Sequence, residues 1–494
     1  MSMNRALALT ALPATLLLPA RVLAHSFGKL YNLPVPFWMY LYGAAAALAA
    51  SFLVVAYFVN EQTAVFNQRT REISEAIWVR GLRRIRLLPA LKLISVCGLL
   101  LCMATGFFGT RNPYTNFNMT FFWVVFVLGF AYLTALAGDL YSVINPWKVV
   151  AEGLERFAAR VFRGRFEYPR RLGYYPALLF YMVFIWIELF ANIQPSSLAV
   201  MLLAYSAINL LGVWLVGKIA WFQHCEFFSV FLRLIAKVSP LEYTPAAAPG
   251  QRGQLRLRAP FIGLLQERAE CFSLLLFVLF MLSSTAFDGL RETVPWINLF
   301  WMDLYQRLIP SIGAHISQSY PTPWTIYLGY QTLALVLSPF VYLAMYLACI
   351  GLARVVTRST IPMRELALRF AFTLLPIALV YNITHYYTLV ITQGMQMVRL
   401  ASDPFGFGWN LFGSAGWLTA PIIPDAGVVW HTQVWLILFG HIVSVYLAHL
   451  EALRVFATRR KATLSQLPML LLMVGFTTIG LWILSQPLGS ETGL

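Results

Sequence analysis

About ten stretches of this sequence stay apolar for roughly twenty residues, the length a helix needs to cross a bilayer. They lie near 36–60, 88–109, 119–139, 173–191, 196–218, 268–288, 324–351, 367–393, 430–455 and 465–486. Inside hydrocarbon no water is at hand to satisfy backbone N–H and C=O groups, so only helices and closed barrels can span it. Continuous apolar runs of this length are helices. The composition agrees: of 494 residues, 59% are hydrophobic and only 11% are charged, a balance foreign to soluble domains. The sequence predicts an all-α fold, a polytopic integral membrane helix bundle of about ten transmembrane helices, with the lipid bilayer as its first partner.

The formal net charge is +16, which in a soluble chain would point to nucleic acid. Its distribution argues otherwise. Arg and Lys concentrate in loops 61–87, 140–172, 219–267, 352–366 and 456–464; Arg69, Arg71, Arg80, Arg83, Arg84 and Arg86 all fall in the first. These are every second loop. The alternate loops are poor in Lys and Arg, and 288–323 carries Asp288, Glu292 and Asp303. The positive-inside rule accounts for this pattern without nucleic acid, and it directs the mature amino terminus and the carboxyl terminus outward. Residues 220–240, AWFQHCEFFSVFLRLIAKVSP, mix apolar and polar groups and are expected as an amphipathic helix on the inner surface. The cysteines Cys97, Cys102, Cys225, Cys271 and Cys349 form no CxxC pair and read as packing residues.

Residues 1–24 have the form of a secretory signal: Arg5, an apolar core, then Val22-Leu23-Ala24. Residues 25–494 then form a single transmembrane domain, with no fixed-period repeat and no separate soluble unit. Cleavage would make His25 the first residue. Its free amine and imidazole can chelate a metal together, and nitrogen donors of this kind suit copper or zinc. The other reading is a histidine that happens to follow a cleavage site.

There is no GxxxxGK(S/T), HExxH, GxSxG or CxxCH motif. A nucleotide-driven pump and a c-type cytochrome are thereby disfavoured. What remains is ionisable groups inside spans, where their cost makes each a functional candidate. His385, in YNITHYYTLVITQGMQM, is expected roughly 12 Å below the outer end of its helix, and His441 roughly 16 Å below the outer end of the next, at 1.5 Å per residue. His431 sits at the mouth of that second helix, and His449 lies deeper. Tyr386, Gln393 or Gln433 could orient a ligating imidazole. Asp288 closes LSSTAFDGL and Asp403 precedes Pro404; either is a candidate ligand or general base, and each can instead serve a helix end or turn. Asp139, at the inner end of span three, is expected to brace the inner loop with Lys148 or a nearby Arg. Met395 and Met397 flank Gln396 and fit either loop packing or Cu(I).

Several stretches, taken together, carry a resemblance: HSFGKLYNLPVPFWMYLYGAAA, FFGTRNPYTNFNMTFFWVVF, GDLYSVINPWK, SSTAFDGL, ITHYYTLVITQGMQMVRLASDPFG and QLPMLLLMVGFTTIGLWILSQP. In order and spacing the chain resembles, from His25 to Gln486, the bacterial integral membrane proteins labelled fenitrothion hydrolase. The resemblance implies hydrolysis of an aryl dialkyl phosphorothioate at its P–O–aryl bond, with an apolar small molecule as substrate and the bacterial inner membrane as location. Such a triester is uncharged, and its nitrophenolate leaves readily, so the chemical demand is for an activated hydroxide and a Lewis acid. The expected site is an outward-facing metal centre, copper or zinc, drawn from His25, His385, His431 and His441, with Asp288 and Asp403 as catalytic carboxylates. Two other readings stand. Mid-membrane His and Gln residues also suit a copper-type metal-ion or small-solute transporter or metal-handling factor, with His449 and Asp139 as its inner stations. A subunit that anchors a partner, such as a second membrane subunit, is the third.

Overall fold

The computed structural model describes residues 35–59, 70–157, 162, 164–244, 253–312, 322–417 and 424–486; the leader and His25 lie outside them. The helices that build the bundle and its site are, in chain order, α1 (Phe37–Phe58), α2 (Leu87–Phe108), α3 (Phe117–Ala137), α4 (Tyr141–Ile144), α5 (Pro146–Phe157), α6 (Tyr175–Phe190) and α7 (Pro195–Val216). They continue with α8 (Lys218–His224), α9 (Phe227–Ala236), α10 (Phe272–Arg291), α11 (Thr322–Thr357), α12 (Met363–Gly394), α13 (Ala426–Val455) and α14 (Arg459–Ser485). Among the described residues, nine of these are long and apolar enough to cross a membrane: α1, α2, α3, α7 and α10 to α14. The remaining expected span, 173–191, forms α6, a 16-residue apolar helix. The chain is an all-α membrane bundle.

The described parts of the arginine-rich loops meet at one end of the bundle, where Lys218 pairs with Glu155, Arg268 with Glu365, and Arg459 bonds the Ala56 carbonyl at the end of α1. There β1 (Arg71–Glu72), β2 (Leu241–Thr244) and β3 (Gln254–Leu257) form a small antiparallel sheet in the order β1-β3-β2, with Arg71 opposite Leu257 and Leu241 also opposite Leu257. Arg258 locks this end. Its buried guanidinium bonds the carbonyls of Ala236 and Ser239 and the side chains of Glu242 and Gln266.

The centre of the bundle is α10, in which nearly every residue is buried. A helix apolar on all sides belongs inside the other helices, and α10 is surrounded by α6, α11, α12 and α14. By contrast α2 and α7 expose Leu93, Ile94, Leu203 and Leu211 along faces suited to lipid. Close packing depends on a few glycines. A Cβ on Gly440 of α13 would lie 2.1 Å from Val380 Cγ2 of α12.

Residues 220–240 are not a surface helix. They enter the bundle as α8 and α9, which are bent by 64° at Cys225-Glu226. Phe227, Phe228, Val230, Leu232, Leu234 and Ile235 are all buried, with Phe228 against Phe122, Phe126 and Phe184. The reason lies in the spacing. Ser229, Arg233 and Lys237 recur every four residues and make one narrow polar stripe, which leaves the rest of the helix free to be buried.

A second broken pair faces this one. The pair α4–α5 is interrupted at Asn145, with Pro146 opening α5, where its missing N–H costs nothing. Asn145 Oδ1 accepts the Lys148 N–H at 3.1 Å, and its Nδ2 donates to Glu226 Oε2 and to Ser229 Oγ, both at 3.2 Å. The two breaks therefore meet tip to tip. Their contact lies beside Tyr205, near the middle of α7.

Candidate functional site

Away from the arginine-rich end, α6, α10 and α12 converge on one carboxylate. Asp288 is 3% exposed. Its Oδ2 lies 2.8 Å from His385 Nε2 and 3.1 Å from the Tyr386 hydroxyl, and its Oδ1 accepts Arg291 Nε–H at 3.2 Å. Tyr386 also reaches Glu188 Oε1 at 3.1 Å, and Arg291 pairs with Glu292 at 2.9 Å.

Local geometry explains the cluster. Asp288 and Arg291 are three residues apart on one helix face, so their side chains meet. His385 and Tyr386 are consecutive, which turns their rings about 100° apart around α12, and they stand edge to face at 4.8 Å. Both still reach Asp288 because the two helices touch closely here. Gly289 allows α14 to close over the site, since a Cβ there would lie 2.7 Å from Ile483 Cγ2.

The hydrogen atoms can be counted. The one Tyr386 hydroxyl proton serves only one of its two carboxylate contacts. The other contact needs a carboxyl proton. Asp288 already faces the Arg291 cation and the His385 ring, whereas Glu188 faces neither at bonding distance, so Glu188 is the carboxyl better suited to carry that proton. The chain then runs from Glu188 to Tyr386 to Asp288, which accepts from His385 Nε2–H. That contact fixes the imidazole tautomer and leaves Nδ1 as the basic nitrogen. The His385 side chain is 16% exposed against 4% for Asp288, so the base is reachable and its partner is shielded. A cavity of 30 Å³ adjoins Glu188, Asp288, Tyr386 and Ser284.

Of the residues singled out from sequence, Asp288 and His385 are brought together. His441 is on α13, 3% exposed, with Nδ1–H donating to Ile437 O at 2.8 Å. His431 lies ten residues earlier, about 15 Å along the helix; it is exposed, bonded to Gly427 O and 3.5 Å from the Tyr40 hydroxyl. Asp403 organises its own loop, accepting from Phe407 N at 2.9 Å and Gly408 N at 2.8 Å. His449 meets Gln466 near the arginine-rich end. Asp139 caps Ser142 N, and Lys148 bonds the Ser142 carbonyl. Burial raises the Asp139 carboxyl above its ordinary range, opposed by the Ser142 hydrogen bond and by Arg233.

Among the described residues no three His, Cys, Asp or Glu side chains converge as metal ligands. Nor do Asp288 and His385 fit a cation by themselves: the carboxylate already holds Arg291, and Nε2 is committed to it. His431 and His441 stand apart from His385, and His25 lies outside the described residues. Sequence reasoning missed Glu188, Arg291 and Glu226. The usable signal for Glu188 was its presence in an apolar run, where a carboxylate is costly.

Fold and site together define a polytopic helical membrane protein with a buried carboxylate–histidine–tyrosine cluster. In comparisons with known proteins, the chain matches no family model, no curated protein and no solved structure.

Proposed function

We propose that this chain is a membrane hydrolase for uncharged aryl phosphotriesters and phosphorothioates, with His385 as general base. The observation that carries the reading is the 2.8 Å contact between His385 and buried Asp288. A carboxylate in that position holds the imidazole in one tautomer and stabilises the imidazolium formed when it takes a proton. In the step, a water at His385 Nδ1 attacks phosphorus, the water proton passes to Nδ1, and the P–O–aryl bond breaks to release the aryloxide. A nitrophenolate leaves without strong acid assistance, so one base suffices. The 30 Å³ cavity has room for about one water and not for the triester, so the substrate must meet the base at the partly exposed edge of His385. By the positive-inside rule the arginine-rich end faces the cytoplasm, which sets the cluster in the periplasmic half of an inner-membrane protein.

The test is nitrophenolate release from a fenitrothion-like triester by membranes containing the chain. Wild type is compared with His385→Ala and His385→Gln at matched protein levels. General-base loss predicts a fall of about 10²–10⁴-fold. Wild-type membranes no faster than empty ones, or variants as fast as wild type, would overturn the reading.

A further inference from the structure

The cavity beside Glu188 is also walled by Phe227 and Phe228 of α9. On the opposite side of the same helix turn, a 400 Å³ cavity at the arginine-rich end is lined by Asp139, Lys148, Lys218 and Arg233 and reaches as far as Ser229. One turn, Phe227-Phe228-Ser229, is therefore the partition between a polar site deep in the bundle and a wide charged vestibule. Glu226 heads that turn. It is 1% exposed and accepts from Phe228 N at 3.1 Å, Ser229 N at 2.7 Å, the Tyr205 hydroxyl at 2.5 Å and Asn145 Nδ2 at 3.2 Å.

We propose that this chain carries protons across the membrane, with Glu188 and Glu226 as successive stations and the turn Phe227–Ser229 as the gate between them. The route runs from His385 and Asp288 through Tyr386 to Glu188, across the small cavity, past the two phenylalanines to Glu226, and out through the vestibule. It does not rest on the hydrolase reading.

Three observations support a proton over a larger cargo. A cavity of 30 Å³ admits about one water and no hydrated metal ion. The Phe227 and Phe228 rings pack 3.9 Å apart at their centroids and wall that cavity, an apolar barrier that a hydrated solute would have to displace. Tyr386 links Glu188 to Asp288 through two 3.1 Å contacts, a bridge along which a proton can pass and a solute cannot. Ser284 and Tyr181 place two further hydroxyls on the wall of that cavity, where a bridging water needs polar partners. Glu226 does more than cap α9: it also bonds Tyr205 and Asn145, which belong to two other elements.

The experiment uses the purified full chain in liposomes that contain a pH-sensitive dye. A potassium diffusion potential set with valinomycin drives protons inward. Wild type is expected to change the lumenal pH several-fold faster than protein-free liposomes. Glu188→Gln and Glu226→Gln should each remove most of that excess, and Phe228→Ala should raise it. A wild-type rate equal to that of empty liposomes overturns the proposal, and so does a rate that survives Glu188→Gln. Should Glu226→Gln fail to elute as a folded protein, Glu188→Gln decides, because Glu188 caps no helix. The two proposals are read separately: nitrophenolate release by His385→Ala tests the hydrolase reading, and dye-reported pH change in Glu188→Gln tests the proton route.

Discussion

Asp288→Asn keeps the shape of the cluster and removes its charge, so it separates what the carboxylate does for chemistry from what it does for stability. Asp288 contacts His385, Tyr386 and Arg291. An amide serves these partners poorly, because whichever way it faces, its NH₂ meets a donor or displaces one. If the NH₂ faces His385, the imidazole flips tautomer and Nδ1 ceases to be the base. Loss of the orienting carboxylate in such a pair costs about 10⁴-fold in turnover. The stability effect has a separate origin. Arg291 has a side-chain exposure of 15% and keeps one carboxylate, Glu292, itself 37% exposed, with the Phe190 ring 5.6 Å from its guanidinium carbon. Removing one partner of a buried pair costs about 3–5 kcal/mol; the surviving Glu292 contact brings the expectation to the lower end, about 3 kcal/mol. Adding Arg291→Gln removes the stranded cation, so the double variant should regain most of that stability and none of the activity. Thermal unfolding in detergent and nitrophenolate release, measured on wild type, both single variants and the double, give the full cycle. A single Asp288→Asn variant with more than a tenth of wild-type activity would refute the role given to the Asp288–His385 pair. A double variant no more stable than the single would refute the charge argument.

Three further outcomes are expected. Asp403→Ala should leave turnover within about twofold of wild type while loosening loop 403–408 by about 1 kcal/mol; a loss of turnover comparable to His385→Ala would return Asp403 to the catalytic group. Gly440→Ala drives a methyl into Val380 and should lower stability in detergent by about 1–3 kcal/mol, whereas Gly475→Ala, which meets nothing within 4 Å, should be neutral. Because burial raises the folded pKa of Asp139, its contribution to stability is fully present below the ordinary value of 3.8 and is lost as pH rises through the folded value. Asp139→Asn should flatten that part of the stability–pH curve in a detergent unfolding series, and an unchanged slope would show that another group sets it.

The spans were legible because length and hydropathy are local properties: expected 36–60 and 88–109 correspond to Phe37–Phe58 and Leu87–Phe108. The turn reading of Asp403 was legible too, from the proline that follows it. Asp288 and His385, grouped from sequence in one outward-facing site, do meet, but which helix lies beside which could not be derived. Asp288 and His385 are 97 residues apart, and nothing in either run says that α10 and α12 touch. Similar depth suggested that His385 and His441 could share a ligand, but depth fixes height and leaves rotation about the helix axis open. His441 turns to its own helix backbone, while His385 turns to α10. The misplacement of 220–240 has the same origin: a polar stripe at four-residue spacing is common to a helix lying on a membrane and to one lining a vestibule. Glu188 was passed over because 173–191 was judged by its length, although one carboxylate in an apolar run is the stronger signal.

Asp288 Oδ2 is shared by His385 and Tyr386, and this ties the two proposed activities together. While Glu188 holds its proton and donates to Tyr386, the Tyr386 hydroxyl hydrogen rests on Asp288. When Glu188 gives its proton up toward Glu226, that hydrogen swings to the Glu188 carboxylate. Asp288 then loses a donor and binds His385 Nε2–H more strongly, which better stabilises the imidazolium formed as water attacks. Emptying the proton station should therefore speed hydrolysis. In sealed liposomes with the arginine-rich end inside, raising the lumenal pH at constant external pH should increase nitrophenolate release by wild type. Glu188→Gln holds the cluster in its protonated arrangement, so it should hydrolyse at the slower rate whatever the lumenal pH. If wild type ignores lumenal pH while both hydrolysis and conduction are intact, Glu188 is not the link between them. If Glu188→Gln still responds, the coupling runs through some other group than the shared Asp288 oxygen.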